Sequence, residues 1–156
     1  MPTDACAVIA RLAAAVDALG CTADEVAQVA ADQGRVLPPT YECFLRAMGR
    51  DAGGMFDGAY VNYPQILGAR EHALTMLTSD DWPDGVFVLP EDAVVVSLHD
   101  QGYAFMFVRT SLGDGAPVEM WTEEREAHAT VAFGSVLDWV QSAFTEATKP
   151  ERAWHR

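Results

Sequence analysis

Lysine is almost missing from this 156-residue sequence, and neither lysine nor arginine occurs between Arg70 and Arg109. The sequence has one lysine, Lys149, and nine arginines against 23 acidic residues, so the formal net charge is −13 at pH 7. Seven acids fall inside the base-free interval: Glu71, Asp80, Asp81, Asp84, Glu91, Asp92 and Asp100. A negative field of this size repels nucleic acid and anionic membrane and attracts a basic protein partner, although acidity also simply keeps a protein in solution.

Long hydrophobic runs are also missing. No run approaches the roughly 18–20 apolar residues that a membrane-spanning helix needs. The alanine-rich amino terminus lacks the basic segment and clean apolar core of a secretory signal, because Asp4 precedes the first base and Arg11 interrupts the apolar run. We therefore expect a cytoplasmic protein that contacts no membrane, with a single domain over residues 1–156.

Cysteine is scarce. Cys6, Cys21 and Cys43 form no CxxC pair and lack the spacing of a metal site. Because they are odd in number, widely separated and expected in a reducing compartment, the sequence predicts free thiols.

Motifs that carry chemistry are absent as well. The sequence has no nucleotide-binding, zinc-protease or hydrolase motif. Ser97, His99 and Asp100 lie close in sequence, but two residues of one strand do not place a third group behind the imidazole, as nucleophilic catalysis requires. The acids at 80–81 and at 123–126 do not fit a calcium loop. We expect no enzymatic activity, no cofactor and no metal.

Apolar periodicity predicts two helices at the amino terminus. The first begins near Asp4 and stops at Gly20. Its apolar face comprises Val8, Ile9, Leu12, Val16 and Leu19. The second opens with a capping box formed by Thr22 and Glu25 and runs to about Gly34.

The segment LPPTYECFLRAMG, at 37–49, predicts a third helix whose start and end are both well defined. Pro39 suits the first turn, and Gly49 is expected to end the helix in the left-handed conformation. One buried stripe is predicted, formed by Tyr41, Phe44, Leu45 and Met48. The loop 49–58 contains four glycines and two aspartates. We expect it to project from the helix as a binding loop.

In the second half of the chain, the apolar residues no longer follow a helical period. Segments rich in β-branched or aromatic residues predict strands at 86–89, 93–98, 103–109 and 117–122. Their short connections predict an antiparallel meander, and the apolar third segment is expected at its centre, covered on both faces.

Two further helices complete the predicted fold. One is expected at 66–78, before the first strand, and the other at about 133–147. The last helix would carry a stripe of Phe133, Leu137, Val140 and Phe144. The fold class is therefore α+β, with N-terminal helices, an antiparallel meander of about four or more strands and a C-terminal helix packed on the sheet.

Two tryptophans lie next to groups of acids. Trp82 is inside TSDDWPDG, and Trp121 directly precedes TEERE. A tryptophan supplies buried contact area while surrounding acids steer a basic partner, although Trp121, at the end of a strand, also fits a core position. The candidate partner-binding residues are Asp51, Asp57, Asp80, Asp81, Trp82, Asp84, Glu91, Asp92, Trp121, Glu123 and Glu124.

The order of these segments resembles the SUKH superfamily (SMI1/KNR4-like domains) over about residues 35–145. The matching positions are Leu37, Pro38, Tyr41, Phe44, Leu45, Gly49, Pro90, Pro117, Val118, Phe133 and Leu137. The sequence has Met48-Gly49 where the family often has Asn-Gly, and it lacks the Trp-Gly that is common in the next loop of the family.

The resemblance implies a non-enzymatic binding module of the bacterial immunity-protein type, which binds and neutralises a cognate toxin such as a nuclease or a deaminase. A nuclease presents a basic cleft to phosphates, so an acidic protein competes with its substrate. Two alternatives stay open: a SUKH-type intracellular regulatory or scaffolding domain without a toxin partner, and an enzyme of an unrecognised kind. No oligomeric state is predicted.

Overall fold

The computed structural model describes residues 2–56, 58–78, 87–99, 104–123 and 128–150. In these ranges four helices precede a four-stranded antiparallel sheet and a fifth helix follows it, which confirms the predicted α+β class. None of the described helices has the length and hydropathy that crossing a bilayer requires.

The sheet is a meander in which neighbours along the chain are neighbours in space. The helices are α1 (Pro2–Ala15), α2 (Ala23–Gln33), α3 (Pro39–Met48), α4 (Ala69–Leu77) and α5 (Val136–Ala147). The strands are β1 (Ala93–His99), β2 (Ala104–Arg109), β3 (Val118–Thr122) and β4 (Thr130–Phe133). Each strand pairs antiparallel with the next.

The ends of α2 follow from its sequence. The Thr22 hydroxyl accepts from the Glu25 N–H at 3.2 Å, while the Glu25 carboxylate accepts from the Thr22 N–H at 2.9 Å. This reciprocal capping box satisfies two amide groups that the first turn would leave unpaired. At the other end Gly34 adopts the left-handed conformation (φ 66°) that a side chain disfavours. Both predicted ends of α2 are confirmed.

Helix α3 lies at the centre of the core. Its predicted stripe is confirmed, because Tyr41, Phe44, Leu45 and Met48 are fully buried. However, Gly49 is right-handed (φ −69°), so the prediction of a left-handed end is wrong. The glycine is needed for space: an added Cβ would lie 2.5 Å from the Leu45 carbonyl oxygen and 2.7 Å from the Cys21 Sγ.

Helix α1 ends earlier than predicted. It stops at Ala15, and Asp17 (φ 53°) turns the chain. Leu19 therefore leaves the predicted apolar face, and 60% of it is exposed. Its backbone instead exchanges hydrogen bonds with Asp51, at 2.8 Å and 3.0 Å.

The loop after α3 does not project from the molecule as predicted. Ala52 and Met55 are buried, and Phe56 packs against the core. The loop is held on both sides, by Leu19 before it and by Tyr60, which pairs with Leu98 of β1. The glycines therefore allow the chain to fold back onto the core.

Two boundaries in the second half differ from prediction. Residues 87–89 form no strand, although the Phe87 ring stacks on Phe107 with the centroids 5.7 Å apart. The short strand β4 was missed, since Phe133 fitted the stripe of the following helix. Helix α5 begins only at Val136, where the Ser135 hydroxyl accepts from the Asp138 N–H at 3.1 Å.

Strand β2 is central and covered on both faces, as predicted. Its buried residues, 105–108, alternate between the two faces of the sheet. On one face Phe105 stacks on Trp121 of β3, with the centroids 5.5 Å apart. Helix α5 lies beside β4 and against α1 and α3. The Trp139 ring packs on Phe44 of α3, with the ring centroids 5.5 Å apart.

Strand β1 is at the edge of the sheet, yet its backbone is not left open. The buried Gln33 side chain donates to the Val95 carbonyl at 2.9 Å and accepts from the Val95 N–H at 3.1 Å. Arg70 donates to the Ala93 carbonyl at 2.6 Å. With the Tyr60 pairing at Leu98, these contacts cover an edge that would otherwise attract another strand.

The prediction of free thiols is wrong for two of the three cysteines. Cys6 of α1 and Cys43 of α3 form a disulfide, with their Cα atoms 5.4 Å apart. Cys21 is free and buried. The prediction failed because it rested on the expected compartment, whereas the packing of α1 on α3 brings the two residues together.

Candidate functional site

Six of the eleven candidate residues lie outside the described residues: Asp57, Asp80, Asp81, Trp82, Asp84 and Glu124. The structure therefore places five of them, namely Asp51, Glu91, Asp92, Trp121 and Glu123. These five lie on three separate segments: Asp51 after α3, Glu91 and Asp92 directly before β1, and Trp121 and Glu123 at the end of β3.

Trp121 is not on the surface. Its side chain is fully buried in β3, and its ring stacks on Phe105. The prediction of Trp121 as a partner anchor is therefore wrong, and the core interpretation is correct. Glu123 follows directly after β3 and is half-buried.

Asp51 is exposed in the loop that follows α3. Its carboxylate accepts from the Gly53 N–H at 2.8 Å, which is a local turn of the kind that aspartate favours. The second carboxylate oxygen has no hydrogen bond among the described residues, so Asp51 presents negative charge to solvent.

Asp92 has a structural role at the start of β1. Its carboxylate accepts from both the hydroxyl and the N–H of Ser111, the latter at 3.1 Å, and from Arg109 at 3.2 Å. The hydrogen bond from the Ser111 hydroxyl is the main cause that lowers the pKa of Asp92, and Arg109 adds to it. This carboxylate fastens the turn after β2 to β1, so little of its charge is left for a partner.

Glu91 is exposed beside Asp92, but arginines surround its backbone. Arg35 and Arg70 both donate to the Glu91 carbonyl, the latter at 3.5 Å. Both arginines come from outside the base-free interval of the sequence. In space that interval therefore does meet cations, which the linear sequence could not indicate.

Glu119 was not predicted as a site residue. It is half-buried in β3, close to Arg109 and Asp92. Burial raises the pKa of Glu119, and the Asp92 carboxylate raises it further, while Arg109 opposes the change. The sequence could have indicated this position only through the register of β3 on β2, which pairs Glu119 with Phe107.

The strongest ion pair joins α2 to the loop after α3. Arg50 donates to both carboxylate oxygens of Glu25, from Nε at 3.0 Å, and its guanidinium lies 5.4 Å from the centre of the Tyr63 ring. The hydrogen bond from Arg50 is the main cause that lowers the pKa of Glu25 to about 2. This pair ties α2 to the loop, and although about half of the Arg50 side chain is exposed, its guanidinium is held by Glu25.

Ser97 and His99 of β1 form a hydrogen-bonded pair, with 3.3 Å between Oγ and Nε2. Burial lowers the pKa of His99. Among the residues that the structure describes, no carboxylate lies within ion-pair distance of His99, so the pair lacks the group that orients the imidazole in a catalytic triad. The described residues also contain no group of three ligands placed to hold a metal ion.

No protein-family model matches the sequence, and no curated protein matches it either. The resemblance to the SUKH superfamily therefore stays a prediction. The described residues that carry it are mainly core positions, such as Tyr41, Phe44 and Val118, which report on packing.

Proposed function

We propose that this protein is a non-enzymatic immunity protein that binds and neutralises a cognate bacterial toxin through its acidic surface, with a basic protein as the partner. The observation that supports this best is the use of the arginines. Five of the nine engage acids or carbonyls of the same chain in the described part, namely Arg35, Arg46, Arg50, Arg70 and Arg109.

This use of the arginines has an electrostatic consequence. The bases are held close to the backbone and to a few structural acids, while acids such as Asp4, Asp24, Asp51 and Glu71 are exposed. With a formal net charge of −13, the outward field is negative. Such a field raises the rate of encounter with a basic protein and repels nucleic acid.

The confirmed α+β order agrees with the fold that the resemblance implies, which adds support without identifying a partner. Binding by surface complementarity needs neither a cofactor nor a metal. The predicted cytoplasmic location belongs to the same proposal, and the disulfide speaks against it, since disulfides persist mainly in oxidising compartments.

The test uses a toxin domain encoded beside this gene and two double variants of equal charge change. Asp80→Lys/Asp81→Lys alters the acidic segment around Trp82, and Asp4→Lys/Asp24→Lys alters exposed positions of α1 and α2 outside the base-free interval. We expect the first variant to slow association by about tenfold or more and the second to have a smaller effect. Equal effects would overturn the assignment to the 80–84 segment. A protein that binds no toxin and instead recovers a regulatory partner would favour the scaffolding alternative.

A further inference from the structure

A cavity of about 270 Å³ lies between the carboxyl-terminal half of α5, the sheet and the loop after α3. Pockets for drug-sized ligands have volumes of about 300–1,000 Å³, so this cavity suits a smaller molecule. Its walls are mainly aromatic and apolar, and they include Phe56, Met106, Phe133 and Trp139. The Phe56 and Trp139 rings are tilted, with their centroids 4.8 Å apart, and they offer ring surface to a flat ligand.

The cavity also has polar groups at one place on its wall. Ser97 and His99 line it, and they hydrogen-bond to each other at 3.3 Å. Ser97 is fully buried, although every neighbour between Ala93 and Leu98 on the same strand is apolar. Because Ser97 has no exposed surface, its hydroxyl can only hold the His99 ring in place, and the half-buried His99 ring is the polar group of this pair that can meet a ligand.

The charges around the cavity limit what it can hold. No lysine or arginine is among the described lining residues, and the lining includes the exposed carboxylate of Glu146, which pairs with Lys149 at 2.7 Å. Because the described lining contributes a carboxylate and no cationic side chain, it favours neutral or cationic molecules over phosphates and carboxylates.

The backbone conformation of Phe56 also indicates a ligand site at this cavity. Its φ of 62° is an outlier for an aromatic residue, and such conformations cluster at ligand sites. Gly53, Gly54 and Gly58 around it also have positive φ, so the loop can bend to bring the Phe56 ring into the wall. The ring is then held by edge contact with Phe44 at 5.7 Å.

We propose that this cavity binds a small aromatic molecule without negative charge, its ring against Phe56 and Trp139 and a hydrogen-bonding group directed to His99, which Ser97 holds in place. This proposal does not depend on the proposed binding of a toxin. It also accounts for the glycine-rich loop, which delivers one wall of the cavity.

The test compares three indole probes that differ in charge: indole, tryptamine and indole-3-acetate. Each is titrated into the full chain while amide and indole N–H resonances are followed by NMR. We expect saturable shifts with indole and tryptamine, and at least about tenfold weaker binding of the carboxylate. Equal affinity for all three probes, or no saturable shift with indole and tryptamine, would overturn the proposal.

Two variants locate the binding. Ala143→Leu places a larger side chain at the cavity wall and should weaken binding at least about tenfold, whereas Ala14→Leu, at an exposed position of α1, should leave it unchanged. If Ala143→Leu does not fold, Ser97→Ala serves instead, with an expected loss of about threefold to tenfold from the missing hydrogen bond. Binding that is unaffected by the folded variant contradicts the assignment.

Discussion

Glu25 and Arg50 join segments that are 25 residues apart in the sequence. The same carboxylate also closes the capping box of α2. One side chain therefore ties the start of a helix to the loop that follows α3. The sequence predicted the capping box, because its partners are three residues apart, but it could not predict the partner 25 residues away.

Replacing Glu25 tests this contact through pH. Hydrogen bonding to Arg50 holds the pKa of Glu25 at about 2, below its ordinary value of 4.5. A lowered pKa means that the ionised form stabilises the fold above about pH 4.5, and that this contribution is lost as pH falls towards 2. Glu25→Gln should therefore be less stable than the wild type at pH 7, with a difference that shrinks at pH 2–3.

The measurement is urea-induced unfolding of both proteins at pH 7, 4 and 2.5. Glu42→Gln is the matched control, since Glu42 pairs with Arg46 at 3.0 Å on an exposed face of α3. Exposed pairs contribute about 0–1 kcal/mol, so this control should change little at any pH. A stability difference for Glu25→Gln that is the same at all three pH values would contradict the account.

At the scale of elements, one glutamine from α2 covers the middle of the edge strand β1. Gln33 acts as a short substitute for a neighbouring strand by pairing with both polar groups of Val95. Gln33→Met keeps the length of the side chain and removes both hydrogen bonds. Because each unsatisfied buried group costs about 1–3 kcal/mol, we expect a loss of about 2–5 kcal/mol in the free energy of unfolding.

Gln141→Met in α5 is the control for this substitution, because Gln141 is exposed. Its effect should stay within about 0.5 kcal/mol. Chemical denaturation measures both variants, and light scattering tests whether Gln33→Met also aggregates through its open edge. A loss below about 1 kcal/mol for Gln33→Met would show that Val95 finds other partners.

The disulfide links two further elements, α1 and α3. Its cysteines are 37 residues apart, and cross-links of this kind contribute about 2–4 kcal/mol. Reductant should therefore lower the unfolding midpoint of the wild type but not that of the Cys6→Ser/Cys43→Ser variant. Cys21 does not compete for disulfide formation in the folded protein, because burial raises the pKa of its thiol to about 11. An unchanged midpoint under reductant, or three reactive thiols in the unfolded chain, would contradict the disulfide.

Sequence patterns predicted the elements unevenly, for physical reasons. Helices α2 and α3 were predicted well because their capping residues and stripes are local. Strand β4 was missed because four residues ending in Phe133 also fit a helical stripe. The segment at 87–89 was wrongly predicted as a strand because a short apolar run does not distinguish a strand from a packed loop. The disulfide and the Gln33 contact depend on tertiary packing, which no local pattern encodes.

At the scale of the whole molecule, charge is distributed differently in space and in sequence. The interval between Arg70 and Arg109 contains no lysine or arginine, yet Arg35, Arg70 and Arg109 all contact its residues 91–93. The acids at this end of the sheet are thus partly neutralised. Of the described candidates, Asp51 and Glu91 keep exposed carboxylates, whereas Asp92 and Trp121 serve the fold.

The central claim is that the negative field of this protein drives its association with a basic toxin. The most direct measurement is the association rate constant with the toxin domain encoded beside it, determined by stopped flow between 20 and 500 mM NaCl, a range spanning Debye lengths from about 20 Å to about 4 Å. We predict a fall of at least about tenfold across this range, with a much smaller change in the dissociation rate constant. An association rate constant that does not change with salt would contradict the account.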